Sequence, residues 1–178
     1  TDEGLMHAWC SGEETAFAAL YARWRLRLYR YLAHQAPREA DELFQDVWLR
    51  ISAARSQFMG SARFSTWMFR IAHHRLIDHF RMHARHLLVE YDDESLGQIP
   101  AAPELDPLTC VQRQQAAAAL QAAVQALPAP QREAFLLAEE GELSLDEIAQ
   151  AMGVPRETAK SRLRYAQAKL RSALAVWQ

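Results

Sequence analysis

Apolar residues recur along much of the chain at steps of three and four, the period of an α-helix with one buried face. This period predicts helices over residues 14–36, 38–54 and 65–85. Pro37 ends the first of them, because proline cannot continue a helix. In the third, the buried stripe is predicted to contain Phe64, Trp67, Met68, Ile71, Ala72, Leu76 and Phe80.

The helical period stops at residues 89–107, which contain three Pro and many acidic residues. This composition predicts a flexible acidic linker between domains. Further helices are predicted over residues 108–127 and 131–140. Together with the scarcity of β-branched residues, the pattern favours an all-α chain of two small helical domains, residues 1–88 and 108–178.

The most specific local pattern lies in residues 144–170, where two short helices meet at a tight turn. Ser144 and Glu147 predict a capping box, and Gly153 predicts a left-handed helix exit. Pro155 is well placed to begin the second helix. The face of that helix opposite its apolar stripe carries Arg156, Glu157, Lys160, Ser161 and Arg164. This layout is typical of a helix-turn-helix that enters the DNA major groove; the alternative is an ordinary helical hairpin with a solvated charged face.

The net charge of −2 conceals an uneven distribution. Residues 20–88 contain twelve Arg and five acidic residues, whereas residues 89–110 contain six acidic residues and no Lys or Arg. Clustered cations permit nucleic-acid binding even when the total charge is near neutral.

Other sequence features bear on the compartment in which the chain works. No apolar run approaches the roughly 18 residues of a membrane span, and the acidic start is unlike a signal peptide. Cys10 and Cys110 form no paired ligand motif. We therefore expect a cytoplasmic protein without stable membrane insertion, disulfides or structural zinc.

Two other functions compete with DNA binding by a two-domain protein. The first is a metalloprotein or hydrolase. Five of the seven His fall between residues 73 and 86, and His79 and His83 could share a metal with His74 or Asp78. However, the sequence has no second acidic cluster, no phosphate loop and no nucleophile beside a base, so we expect no cofactor, no metal and no enzyme activity. A dimeric helix-turn-helix regulator would explain residues 144–170 but not residues 14–85.

Five segments, taken in order, resemble the extracytoplasmic-function (ECF) sigma factors, the smallest members of the bacterial sigma-70 class. They are FAALYARWRLRLYRYL, DELFQDVWLRI, FSTWMFRIAHHRLIDHFR, LPAPQREAFLL and SLDEIAQAMGVPRETAKSRLRYAQAKL. The resemblance covers nearly the whole chain outside the linker. It implies two conserved domains, called regions 2 and 4, and an initiation factor that binds RNA polymerase core and directs promoter recognition and DNA opening.

The resemblance also implies roles for particular residues. The helix matching residues 39–53 would dock on the polymerase β′ clamp helices, with Asp41, Glu42, Gln45, Asp46 and Leu49 as docking residues. Residues 58–85 would melt the −10 promoter element and hold its flipped bases, a task that suits cations and apolar walls. The candidates for this task are Phe58, Met59, Arg63, Phe64, Arg70, His73, His74 and Arg75, whereas Trp67 is expected in the core.

The resemblance assigns the rest of the chain as follows. The charged face at residues 156–164 would read the −35 element, and region 4 would also meet the polymerase β flap. Family members are commonly held inactive by an anti-sigma factor. We hypothesise that the linker, residues 89–107, occupies the RNA path of the initiating complex; the alternative is a soluble tether.

Overall fold

The computed structural model describes residues 1–86 and 107–175, and every regular element in these ranges is helical. The α-helices are α1 Asp2–Cys10, α2 Glu14–Gln35, α3 Ala40–Ala54, α4 Phe64–His86, α5 Pro107–Gln125, α6 Ala129–Glu139, α7 Leu145–Met152 and α8 Arg156–Ala173, and a short 3-10 helix, Arg55–Gln57, follows α3. The predicted all-α class and the helices predicted from residue 14 onward are confirmed. The predicted linker lies outside the described residues except for Pro107, which begins α5. No helix in the described ranges is long and apolar enough to cross a membrane.

Helix α1 was not predicted from the sequence, and it braces the first domain. The Thr1 hydroxyl accepts a hydrogen bond from the Gly4 N–H at 3.1 Å, which caps the helix start. The Glu3 carboxylate accepts from the Phe64 N–H at 3.0 Å, so α1 also supplies a cap for α4. This hydrogen bond holds the pKa of Glu3 below its ordinary value. Helix α1 thus holds the N-terminus of α4 in place, where the preceding loop ends.

The first domain is a bundle of α1–α4 around one apolar core. The fully buried residues of α2–α4 are Leu20, Leu28, Tyr31, Leu32, Leu43, Val47, Ile51, Phe64, Met68, Phe69 and Ala72. The prediction that Phe80 joins this core is wrong, because Phe80 is 46% exposed. At that level of α4 the buried side chain is instead its neighbour His79, which faces the start of α3.

The second domain contains the predicted helix-turn-helix. Ser144 and Glu147 form the capping box, and Gly153 exits α7 with φ 62°, a conformation that costs glycine little. Pro155 is the N-cap residue of α8, which begins one residue later. Helices α7 and α8 pack on α6 and on each other, and their apolar residues in the core include Ile148, Ala149, Met152, Ala159, Leu163, Ala166 and Leu170.

The two domains pack directly against each other, with α6 on α2 and α7 on α4. Gly141, in the turn between α6 and α7, permits this close approach. A Cβ on Gly141 would lie 2.6 Å from the Leu137 carbonyl oxygen and 3.2 Å from the Phe69 ring. The buried residues of both domains consequently form one continuous core.

Candidate nucleic-acid and protein interfaces

The predicted DNA-reading face of α8 is exposed, apart from the half-buried Ser161. Arg156 Nε donates to Asp146 Oδ1 at 2.7 Å, and Lys160 Nζ donates to Glu157 Oε2 at 3.4 Å. Both carboxylates are 74% exposed, so each pair contributes only about 0–1 kcal/mol. The cations can therefore exchange these partners for DNA phosphates at little cost.

The apolar residues predicted to bind melted DNA occupy two different environments. Phe64 is fully buried and Phe58 is 8% exposed, and both pack beside the Trp67 ring. Met59, in contrast, is 84% exposed at the tip of the loop before α4. In this arrangement Met59 is the apolar residue of the set that is open to a ligand.

The basic residues of the same set fall into three groups. Arg70 and His74 are exposed on α4. Arg63 and His73 lie at the boundary with the second domain and contact its acidic residues. The Arg75 side chain is 12% exposed and is paired with Asp46 of α3.

Glu133 of α6 is the most buried acidic residue at the domain boundary. Its Oε1 accepts the Tyr31 hydroxyl at 2.7 Å and lies 2.5 Å from His73 Nδ1. Burial, reinforced by Glu133, raises the pKa of Tyr31 well above its ordinary value, so the phenol remains a donor. One carboxylate thus joins α6 to both α2 and α4.

Glu147 of α7 makes the second link between the domains. Its Oε1 accepts the Thr66 hydroxyl at 2.9 Å, and its Oε2 lies 3.5 Å from Arg63 Nη1. Burial alone would raise the pKa of Glu147, but the hydrogen bonds from Ser144 and Thr66, together with Arg63, outweigh it and lower the pKa. The same carboxylate therefore completes the α7 capping box and holds the start of α4.

Two further ion pairs also join an acidic residue of the second domain to the first domain. Arg30 donates to Glu140 Oε2 from Nε at 3.1 Å and from Nη2 at 2.9 Å. Arg27 Nη1 lies 2.5 Å from Glu142 Oε1. Across the boundary the first domain thus supplies guanidinium groups and the second domain supplies carboxylates, a match that helical periodicity does not predict.

His34 of α2 also lies at this boundary. The Gln125 amide donates to the His34 carbonyl at 3.2 Å and lies 3.3 Å from its Nδ1, which therefore acts as an acceptor. Burial, with help from Arg132 and Arg30, lowers the pKa of His34 and keeps the imidazole neutral.

Helix α3 presents the predicted protein-docking face. Asp41, Glu42 and Gln45 are exposed, and Leu49 is 68% exposed. Beside them lies a groove of about 400 Å³ lined by Phe17, Tyr21, Phe44, Gln45, Trp48, Leu49 and Ser52. An exposed leucine beside an aromatic groove is typical of a protein-binding surface.

Asp46 differs from the rest of that set because it is engaged within the domain. It pairs with Arg75 of α4 and, at 3.3 Å, with Arg50. Burial raises the pKa of Asp46, but these two guanidinium groups outweigh it and hold the pKa below its ordinary value. Asp46 therefore links α3 to α4.

The residues considered as ligands in the alternative, metal-binding interpretation of the sequence are not brought together as a group. Within the described ranges, His79 and His83 lie close to Glu39, whereas neither His74 nor Asp78 belongs to this cluster. Glu39 was not anticipated, because it comes from α3 rather than α4.

Both domains match known protein families. The family model for sigma-70 region 2 matches residues 17–86, and the model for sigma-70 region 4 matches residues 117–170. The ECF RNA polymerase sigma factor RpoE of Cereibacter sphaeroides is 32% identical over 162 residues, which cover 89% of this chain and 86% of the relative. The ECF RNA polymerase sigma factor SigM of Mycobacterium tuberculosis is 29% identical over 175 residues, covering 96% and 83%.

Solved structures share the fold. The sigma factor RpoE of Bartonella quintana, in complex with the anti-sigma factor NepR, superposes with a TM-score of 0.74 at 22% identity, covering 91% of this chain and 98% of that one. CnrH, in complex with the cytosolic domain of CnrY, gives a TM-score of 0.66 at 23% identity, covering 98% and 97%. With regions 2 and 4 in order and a relative above 30% identity along most of its length, the chain belongs to the ECF sigma factors, which bind RNA polymerase and direct promoter-specific initiation.

Proposed function

We propose that this sigma factor divides its work among three surfaces. The exposed face of α3 docks on the β′ clamp helices, α8 reads the −35 element, and the loop before α4 together with α4 melts the −10 element. Region 4 also meets the β flap, and the factor works in the cytoplasm with catalysis left to the polymerase. The exposed cations of α8 and the exposed Leu49 beside its aromatic groove support these assignments.

We further propose that the packed arrangement of regions 2 and 4 is a closed, inactive state. The observation that carries this proposal is the charge match at the boundary, where Glu133, Glu140, Glu142 and Glu147 of region 4 contact His73, Arg30, Arg27 and Arg63 of region 2. Carboxylates bind guanidinium groups much as DNA phosphates do. Glu147 and Glu133 therefore occupy Arg63 and His73, two side chains proposed to contact promoter DNA.

The closed state has a direct consequence for DNA opening. His73, whose side chain is 8% exposed, becomes available to the melted −10 strand only when region 4 leaves α4, and Arg63 is released from Glu142 and Glu147 at the same time. Core binding supplies the free energy for this separation, because the two regions then contact different parts of the polymerase. Any ligand that favours the open form shifts the equilibrium only by its differential affinity for the two forms.

We also propose that an anti-sigma factor regulates this chain. The Bartonella quintana RpoE and CnrH, which share its fold, were solved with the anti-sigma factor NepR and with the cytosolic domain of CnrY, respectively. An anti-sigma factor that binds the closed form would add to the inhibition that the four Glu provide.

Distance measurement by energy transfer tests the closed state. Ala22→Cys and Ser172→Cys place one dye on the exposed side of α2 and another near the end of α8, in a chain whose native cysteines are replaced by Ser. We expect high transfer in the free chain and a marked fall when core polymerase is added. A control pair within region 4, Gln150→Cys with Ser172→Cys, should not respond. Equal transfer with and without core would contradict the proposal.

A further inference from the structure

Three metal-ligating side chains meet where the last turns of α4 pass the start of α3. His79 and His83 are four residues apart on α4, and their ring centroids are 4.3 Å apart. Glu39 stands at the N-cap position of α3, and its Oε2 lies 3.9 Å from His79 Nε2. One ligand atom from each residue lies within 4.8 Å of the other two. None of the three is among the residues named individually for docking, promoter reading or interdomain contact.

We propose that Glu39, His79 and His83 bind a single divalent transition-metal ion and that Zn²⁺ is the ion that fits best. Two imidazole nitrogens and one carboxylate oxygen form a three-ligand zinc set that leaves one position for water. Histidines four residues apart project from the same face of a helix, the spacing that zinc-binding helices use. Ca²⁺ and Mg²⁺ are disfavoured, because both require oxygen ligands.

Small side-chain movements suffice to close the site around an ion. Zinc ligand atoms lie about 2.0–2.2 Å from the metal, so neighbouring ligand atoms in a tetrahedral site are roughly 3.3–3.6 Å apart. The 3.9 Å between Glu39 and His79 is only slightly longer. His83 is exposed, so its ring can turn without disturbing the core. The Glu39 carboxylate caps no backbone N–H of α3, so ligation would break no helix cap.

The electrostatic surroundings also suit a cation. His79 is 9% exposed, so little water competes for its ring nitrogens. Glu42 adds negative charge near His79. Arg75 is a positive charge near His79 that would repel a cation, but its pairing with Asp46 offsets this charge.

A bound ion would tie the start of α3 to the end of α4. Glu39 comes two residues before Asp41, at the base of the proposed docking face. The site would therefore add a second link between α3 and α4, on the same side of the docking helix as the Asp46–Arg75 pair, and it does not depend on the proposed roles in DNA binding.

Zinc titration of the full chain tests this proposal. The protein is prepared without a histidine tag, stripped with chelator, and titrated with zinc chloride in a calorimeter. We expect one saturable ion per chain, with affinity reduced at least about tenfold by His83→Ala and by Glu39→Gln. His7→Ala, which removes an exposed imidazole from α1, is the matched control and should bind as the unaltered chain does. The melting temperature should rise with zinc in the unaltered chain and the control, but not in the two ligand variants.

Several results would overturn the proposal. One is zinc binding that survives unchanged in both His83→Ala and Glu39→Gln. Another is equal loss of affinity in His7→Ala, which would indicate unspecific binding by surface imidazoles. Absence of saturation at one ion per chain would also reject it. Circular dichroism of each zinc-free variant verifies the fold, and the exposed position of His83 makes that variant the least disruptive.

Discussion

The carboxylate of Glu133 lies 2.5 Å from Nδ1 of His73, across the boundary between regions 4 and 2. The two side chains are 14% and 8% exposed, so solvent and salt screen their interaction weakly. Because Glu133 also accepts the Tyr31 hydroxyl, a single acid of region 4 holds two helices of region 2. This relationship is the central contact of the proposed closed state.

Replacing Glu133 by Gln should open the chain. A hydrogen bond to a charged group contributes about 1.5–3 kcal/mol, so the ratio of closed to open forms should fall by about tenfold or more. The affinity for a single-stranded −10 oligonucleotide, measured by fluorescence anisotropy, should rise accordingly. Glu139→Gln, an exposed change on the same helix, is the control and should have no effect. Unchanged affinity in Glu133→Gln would mean that the pair does not hold the regions together.

Acidification should loosen the boundary through His34. Its pKa is lowered in the closed form, so below the ordinary value of about 6.5 the separated form binds more protons. The closed form should therefore be fully stable above that pH and lose stability as pH falls toward the lowered pKa. Energy transfer between the two regions, followed from pH 8 downward, measures this change. His34→Asn should remove the pH dependence of the energy transfer between those two pKa values. An unchanged pH dependence in this variant would exclude His34 as its source.

Substitution of Leu49 should test the docking face more directly than substitution of Asp46, because Asp46 also pairs with Arg75 within the domain. Leu49→Ala removes a side chain that is 68% exposed, so the fold should be unaffected. If Leu49 anchors the contact, binding to core should weaken by about 1–2 kcal/mol, measurable by competition with a labelled factor. The exposed Leu26→Ala on α2 provides a control of similar size. Equal core affinity of Leu49→Ala and the unaltered chain would place the docking contact elsewhere.

Asp46→Asn should instead lower stability. It leaves Arg75, whose side chain is 12% exposed, without its carboxylate partner. An uncompensated, largely buried donor costs about 1–3 kcal/mol, which urea unfolding can measure. An unaltered unfolding midpoint would show that the pair contributes little, and a core-binding defect in this variant would then report docking alone.

Substitutions on the charged face of α8 should distinguish side chains that contact bases from side chains that contact phosphates. Lys160→Ala or Arg164→Ala in holoenzyme should weaken promoter binding by about 1–3 kcal/mol if the side chain reads a base edge, and less, with a shallower salt dependence, if it contacts phosphate. Lys169→Ala, on the other side of α8, is the control. If all of these variants bind as the unaltered holoenzyme does, α8 does not face the groove.

The elements best predicted from the sequence are those specified by short-range rules. Ser144, Glu147 and Gly153 determine their own local conformation, so the capping box and the turn follow from residue type and spacing. Helix α1 was missed although its signals are present: Thr1 can cap, Asp2 and Glu3 suit the first turn, and Met6 and Trp9 share a face. Its short length hid a period that longer helices display clearly.

The arrangement of the candidate sites could not be predicted in the same way. Glu133 is 60 residues from His73, and Arg63 is 84 residues from Glu147. Pairs this far apart in the chain depend on how the two domains pack, which helical periodicity does not encode. A similar limit applies within the first domain, because the packing of α3 on α4 brings Asp46 to Arg75 and Glu39 to His79.

Transcription with purified core polymerase on host genomic DNA, with the starts sequenced, tests the central claim most directly. Addition of this chain should produce a set of transcripts absent with core alone, whose starts share one −35 and one −10 sequence at a constant spacing. The combined Arg156→Ala, Lys160→Ala and Arg164→Ala variant should abolish them, whereas Lys169→Ala should not. Identical starts with and without the chain, or sequence-specific DNA binding by the chain as a dimer without core, would contradict its role as a sigma factor.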